Sequence, residues 1–257
     1  MPVYMPDTNV LIDFGRVVET RGKIQKARAD GADFKLAPPA LIELVRGLVT
    51  SDHRHFSNDK QVFEWMVAQK FDVLPLPRPF MANILKSKNN RPAEVEPEHY
   101  MQLIQMVSQS NTFEDFIKSS KTADSSWKQI DEADEIHNGI LDQEFAGLEK
   151  IATGGRALDL ARQLSRSFGA PGNHPIPLIL AVRFSAALEF LKASLSKVGQ
   201  GAKPRKNDPG LYVDFQLLLY LADPGITFLT KENFSNEIRA SRQKDRIVHP
   251  QSLASGT

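Results

Sequence analysis

Cysteine is absent from this sequence, and its absence excludes both disulfide bonds and thiolate zinc sites. The six His residues show no metal-ligand spacing, so we do not expect structural zinc. No run approaches the roughly 20 apolar residues that span a bilayer, and the N-terminus lacks the basic and apolar segments of a secretory signal. Phosphate-binding loops of the Walker and Gly-x-Gly-x-x-Gly types are also missing. These absences favour a cytoplasmic globular protein that does not insert into a membrane.

Charge is nearly balanced over the whole chain, with a formal net charge of +1, but it is unevenly distributed. Residues 96–150 contain twelve acidic and four basic side chains, whereas residues 156–206 contain nine basic and two acidic ones. Such a reversal is typical of two helical segments that pack together with solvated faces, and also of a basic surface that binds a polyanion. The sequence leaves both interpretations open.

Short apolar runs alternate with amphipathic stretches at both ends of the chain. Strands are predicted at 3–5, 34–37 and 71–76, and helices at 9–14, 20–28, 39–49 and 61–69. After a long gap the same pattern returns, with a helix at 211–222 and strands at 226–229 and 246–250. This alternation predicts an α/β fold in which a parallel sheet is flanked by helices.

The middle of the chain has a different character. Between 97 and 197 no convincing strand is found, and the pattern predicts several helices, the longest at 177–197. Polar breaks at 86–92 and 199–210 bound this region, so we predict an all-helical insertion at 86–205 within an α/β core formed by 1–85 and 206–257. Inside the insertion, the acidic run from Asp131 to His137 is interpreted as a solvated helix face.

Four acidic residues follow or precede predicted strands in a way that can bring them together. Asp7 follows the first strand, Glu43 lies one turn past the second, Asp214 is placed in the first turn of a late helix, and Glu232 follows the next strand. Ligands of parallel α/β sheets bind at the carboxyl ends of the strands. Clustered carboxylates repel each other unless some are protonated or a divalent cation neutralises them, and oxygen ligands favour magnesium or manganese.

Each of these residues also has an ordinary structural interpretation. Asp7 is a suitable helix cap, and Glu43 falls away from the apolar stripe of its helix, so periodicity predicts a solvated side chain. Asp214 near a helix N-terminus would be mildly stabilising without any function, and Glu232 suits a turn or a cap. Asp13 is interpreted as a surface residue.

Four stretches together resemble the PIN-domain family of metal-dependent ribonucleases. MPDTNVLIDF resembles the opening strand with its Asp-x-Asn, and APPALIELVRGL the strand, turn and helix with the second acidic residue. VDFQLLLYLADPGITFLTKE resembles the closing Asp-helix-strand-Thr-x-Asp signature, and RIVHPQSL the last strand. The resemblance covers roughly 1–85 and 206–257, and it offers no counterpart for the insertion.

The resemblance implies a catalytic and metal-binding set for Mg²⁺ or Mn²⁺. Asp7, Glu43 and Asp214 would hold the metal, and Glu232 would be the fourth ligand in a position where the family usually has Asp. The added methylene of Glu232 shifts its carboxylate, which makes a water-mediated contact an alternative. Asp208 offers a substitute ligand, although Pro209 after it also makes Asp208 a natural helix cap.

The implied activity is hydrolysis of RNA phosphodiesters to 3′-hydroxyl and 5′-phosphate products. Asn9 and Thr230 would act as polar supports on the substrate side of the site. Apart from the resemblance, the basic residues at the end of the insertion have two interpretations, either as phosphate-binding groups near a metal cleft or as linker charges without a role: Lys203, Arg205 and Lys206. The alternative is a catalytically weak PIN-like module that binds RNA or a protein through the insertion. The sequence leaves a homodimer and an antitoxin-like protein partner open.

Overall fold

Five short parallel strands form the centre of the fold in a computed structural model that describes residues 2–50, 56–85, 97–122, 124–135, 158–159, 161–162, 175–199, 209–234 and 236–254. The strands are β1 (Val3–Pro6), β2 (Asp33–Leu36), β3 (Asp72–Val73), β4 (Ile226–Leu229) and β5 (Ile247–Val248). Their order in the sheet is β3-β2-β1-β4-β5, and every neighbouring pair is parallel. The predicted α/β class with a parallel sheet is confirmed, although the two edge strands are shorter than predicted.

Helices make up most of the remaining described chain. They are α1 (Thr8–Arg16), α2 (Val18–Ala29), α3 (Pro38–Thr50), α4 (Phe56–Gln69), α5 (Pro77–Leu85), α6 (Pro97–Gln109), α7 (Phe113–Ser120), α8 (Ile176–Arg183), α9 (Ser185–Gly199) and α10 (Pro209–Leu219). Residues 126–135 are also helical, and short 3-10 turns occur at Tyr220–Ala222, Lys244–Arg246 and Pro250–Ala254. Among the described helices, none combines the length and the apolar character that crossing a bilayer requires.

Several helices differ from the predicted ones. Helix α4 begins at Phe56 rather than at residue 61, and α5 was not predicted. The predicted helix at 177–197 is two helices, because Phe184 leaves helical geometry with φ −109° and ψ 25°. Phe184 is buried in the hydrophobic core, so tertiary packing accounts for a bend that apolar periodicity cannot reveal.

Strand β1 lies in the middle of the sheet and organises the core. Val3 is in register with Asp33 of β2 on one side and with Ile226 of β4 on the other. Described helices of the predicted insertion pack on this α/β part, with α6 against α4 and α9 against α10. One buried hydrophobic cluster therefore contains side chains from strands and from those helices, among them Met5, Phe228, Tyr100, Leu103, Leu188 and Leu191.

A buried glutamine, Gln243, connects α8 and α9 to the 3-10 turn that follows α10. Its Nε2 donates hydrogen bonds to the carbonyl oxygens of Leu221, at 2.7 Å, and Arg183. Its Oε1 accepts from the backbone N–H of Ala186 at 2.8 Å. Because buried polar groups are costly when unpaired, this amide fixes the junction of α8 and α9 against the chain that follows α10.

The acidic run of the insertion is not a freely solvated face. Arg46 of α3 lies 2.8 Å from Oδ1 of Asp131 and 2.6 Å from Oδ2 of Asp134. Burial lowers the pKa of the Arg46 guanidinium, but its hydrogen bonds to these carboxylates and their charges outweigh that effect and raise the pKa. The sequence interpretation was wrong for these two residues, because helix 126–135 packs beside a cation from another element. This pairing links the insertion to the helix that carries Glu43.

Candidate active site

The polar residues of the site lie where β1 and β4 end beside each other. The backbone N–H of Asp7 donates to the carbonyl oxygen of Leu229 at 2.9 Å, and that of Thr230 donates to Val248 at 3.0 Å. From β1 the chain adds β2 and β3 on one side of the sheet, and later β4 and β5 on the other side. The strand order therefore changes direction between β1 and β4. Such a switch point is where parallel α/β sheets bind ligands.

Asp7 is both the N-cap of α1 and the most buried carboxylate of the site, with only 5% of its surface exposed. Its Oδ1 accepts a hydrogen bond from the N–H of Val10 at 2.7 Å. Its Oδ2 accepts from the hydroxyl of Thr230. The capping interpretation and the site interpretation are therefore compatible, because one oxygen caps the helix while the other faces β4.

The environment of Asp7 makes its charged form unfavourable. Burial raises the pKa of Asp7 to about 6, against opposing hydrogen bonds from Thr230 and Val10. The negative charges of Glu232 and Glu43 raise the pKa further. Asp7 is therefore close enough to both Glu43 and Glu232 to be affected by their charges.

Glu43 is half-buried, which differs from the solvated position that periodicity predicts. The hydroxyl of Thr8 donates a hydrogen bond to Oε2 of Glu43 and lies 3.4 Å from the carbonyl oxygen of Ala40. The start of α1 therefore covers this side of α3, which a single-helix pattern cannot reveal. Thr8 itself was not predicted as a site residue, although it lies between Asp7 and Asn9.

The Thr230 hydroxyl connects two carboxylate residues. It donates to Asp7 and accepts from the backbone N–H of Glu232 at 2.9 Å. Glu232 is exposed, and its Oε1 accepts a hydrogen bond from Nδ2 of Asn9 at 3.2 Å. The side chains of Asn9 and Thr230 thereby connect the loop after β4 to α1.

Asp214 is half-buried on α10, a helix that packs against α3. The sequence predicted Asp214 in the first turn of its helix. In the structure the helix already begins at Pro209, so Asp214 is its sixth residue. An influence of the helix N-terminus on Asp214 is correspondingly weaker. The remaining predicted site residues lie outside the described residues: Asp208, Lys203, Arg205 and Lys206.

The carboxylate oxygens of the site are suitable ligands for a hard divalent cation, but the carboxylates are not closely grouped. Asp7, Glu43 and Glu232 offer only oxygen ligands, which suit magnesium or manganese. Burial is the main cause of the raised pKa of Asp7, and the negative charges of Glu232 and Glu43 add to it; a bound cation would favour the ionised form of this carboxyl. Within the described ranges, however, no three acidic or His side chains are grouped closely enough to hold a metal ion. Mg²⁺ in proteins commonly uses one or two carboxylates and completes its shell with water and substrate phosphate, so the described carboxylates suit this ion in their chemistry but not as a complete ligand set.

Comparisons with known proteins do not assign this chain to a family. No family model matches it, and no significant match occurs among curated proteins or solved structures. We therefore infer the function from the geometry and chemistry of the site.

Proposed function

We propose that this protein is a PIN-like endoribonuclease that requires Mg²⁺ or Mn²⁺ and hydrolyses RNA phosphodiesters. Asp7, Glu43 and Glu232 would act at the carboxyl ends of β1 and β4, with Asp214 contributing from α10. Support comes from the match between the resemblance of the sequence stretches and the all-parallel sheet, which has the Asp7 strand at its centre.

One observation carries the proposal. Asp7 is 5% exposed, yet its carboxyl lies at the switch point of the sheet and is affected by two other carboxylates. Burying a carboxyl close to other negative charges costs stability, and groups with such a perturbed pKa are concentrated at functional sites. Capping α1 would not by itself require Glu43 and Glu232 nearby.

The residues of the chain have distinct roles in this proposal. With a pKa of about 6, Asp7 is mostly ionised above neutral pH, so it is available as a ligand and can accept a proton. Thr230 orients Oδ2 of Asp7, and Asn9 orients Glu232. A bound divalent cation would polarise a phosphoryl oxygen and lower the pKa of a water molecule. Thr8 fixes Glu43 through its hydroxyl.

The second candidate function is a catalytically weak PIN-like module that binds RNA or a protein. It is favoured by the fact that the described carboxylates do not form a group of three able to hold a metal. In that case the helices of the insertion would contribute the binding surface, and the acidic residues would not catalyse RNA cleavage at a useful rate.

Cleavage of a labelled single-stranded RNA by the full chain in Mg²⁺ or Mn²⁺ tests the first candidate. We expect Asp7→Asn to reduce cleavage at least a hundredfold, because it removes a charged ligand. The matched control is Asp72→Asn, the same substitution at an exposed position of β3, which should cleave like the wild type. Equal cleavage by Asp7→Asn and the wild type would refute the proposed nuclease activity.

Calorimetric titration with Mn²⁺ separates the two candidates. The nuclease predicts heat of binding that is lost in Asp7→Asn and strengthened when RNA is present, since substrate phosphate completes the metal shell. Absence of metal binding in the wild type, with RNA binding retained, would favour the module.

A further inference from the structure

An ion pair lies one helical turn along α1 from the contact between Asn9 and Glu232. Nζ of Lys231 pairs with Oδ2 of Asp13, while the neighbouring Glu232 accepts from Asn9. Asn9 and Asp13 are four residues apart and therefore lie on the same face of α1, about 6 Å along its axis. The loop after β4 thus runs beside α1 and places an ammonium group at the edge of the acidic site.

This position matters because the described site is otherwise strongly negative. Asp7, Glu43 and Glu232 contribute carboxylates, and RNA is a polyanion that approaches such a site only when cations offset the repulsion. A divalent cation would serve the cleaved phosphate, but the phosphates on either side of it need other partners. Lys231 lies between Thr230 and Glu232, and the hydrogen bond from the backbone N–H of Glu232 to the Thr230 hydroxyl fixes the backbone on both sides of it.

The pairing of Lys231 with Asp13 leaves the ammonium able to exchange partners. The Lys231 side chain is 41% exposed and that of Asp13 is 21% exposed. Ion pairs with this exposure contribute little to stability, so replacing Asp13 by a phosphate costs little. A phosphate also accepts charge-assisted hydrogen bonds from an ammonium group.

We infer that Lys231 binds an RNA phosphate next to the cleaved one and that Asp13 competes with the RNA for it. This inference rests on the proposed function. It assigns a substrate-binding role to a residue that the sequence pattern did not select, and an inhibitory one to Asp13, which the sequence suggested was an ordinary surface residue.

Two substitutions with opposite expected effects on RNA affinity test the inference. Binding of a short fluorescein-labelled single-stranded RNA to the full chain is measured by anisotropy in EDTA, over a series of potassium chloride concentrations. We expect Lys231→Gln to weaken binding roughly five- to tenfold and to reduce the slope of log K against log salt by about one. Asp13→Asn should instead tighten binding about two- to threefold, because it removes the competing anion.

Lys23→Gln is the matched control, since Lys23 forms an ion pair with the exposed Glu19 within α2. It should bind RNA like the wild type, and Lys231→Arg should retain most of the affinity. If the ion pair only stabilised the loop, Lys231→Gln and Asp13→Asn would change RNA binding in the same direction, which overturns the inference.

Cleavage assays in Mg²⁺ keep this result separate from the nuclease proposal. If the wild type cleaves and binds RNA while Lys231→Gln does so equally well, only the role of Lys231 is refuted. If the wild type does not cleave RNA in Mg²⁺ and binds it neither in EDTA nor in Mg²⁺, the proposed function fails and the inference fails with it.

Discussion

Thr230 donates its hydroxyl hydrogen to Oδ2 of Asp7, a residue 223 positions earlier in the chain. This contact is possible because β1 and β4 are parallel neighbours, with Pro6 in register with Leu229. The residues that follow the two strands are therefore adjacent at their carboxyl ends. The chemistry proposed for this protein depends on that adjacency.

Asp7 should make the metal-free protein less stable as the pH rises. Its pKa is raised from 3.8 to about 6, so the folded state holds the proton more tightly than the unfolded state does. The contribution of Asp7 is then fully present below about pH 4 and is lost by about pH 6, a change of about 3 kcal/mol in the free energy of unfolding. In EDTA, Asp7→Asn should therefore be more stable than the wild type above pH 7, and its pH dependence should be flatter.

Urea denaturation of both proteins at several pH values between about 4 and 8 measures this difference. Comparing the two curves cancels the titration of other groups. Parallel curves would show that burial does not raise the pKa of Asp7, and the strongest electrostatic argument for the site would be lost.

Replacing Thr230 by Val should affect both stability and the titration of Asp7. The substitution removes the hydroxyl that donates to Asp7 and accepts from the N–H of Glu232. We expect a loss of about 1–3 kcal/mol in unfolding free energy, together with a higher pKa of Asp7, because a hydrogen bond to its ionised form is lost. Thr230→Ser keeps the hydroxyl and should restore most of both properties, which thermal unfolding and the pH profile of stability can verify.

Asn9 and Glu232 should act as a coupled pair in RNA cleavage. Nδ2 of Asn9 lies 3.2 Å from Oε1 of Glu232, and Glu232 is exposed. We expect Asn9→Ala and Glu232→Gln each to lower kcat by roughly tenfold, less than Asp7→Asn does. If Asn9 works by orienting Glu232, the double variant should be no slower than the slower single variant. Fully multiplicative losses would indicate independent roles.

Arg46 should contribute to stability through the acidic helix of the insertion. Arg46→Met leaves Asp131 and Asp134 without their cation, and the Asp134 side chain is only 10% exposed. We expect a loss of about 2 kcal/mol in unfolding free energy. Adding Asp134→Asn to Arg46→Met should recover part of it, because one of the two carboxylates that pair with Arg46 is then neutral. If the added substitution is instead further destabilising, Arg46 contributes through packing rather than through charge.

Much of the fold was determined by local pattern. The strands at Val3, Phe34 and Ile226 and the helix after Pro38 follow from short apolar runs, proline positions and amphipathic spacing, and all are present in the structure. The bend at Phe184 and the helix at 77–85 were not predicted, because packing against other elements decides them.

Some features of the candidate site could likewise be predicted from the sequence, and others depend on tertiary structure. By itself the sequence determined which residue types follow the strands, namely Asp7, Asn9, Thr230 and Glu232, because strand ends and turns carry a local signal. Only the tertiary structure decided that Glu43 is half-buried beneath Thr8 and that Lys231 faces Asp13. Helical periodicity reports one face of one helix, whereas burial and pairing depend on which other element covers that face, and this is set by the order of the strands in the sheet.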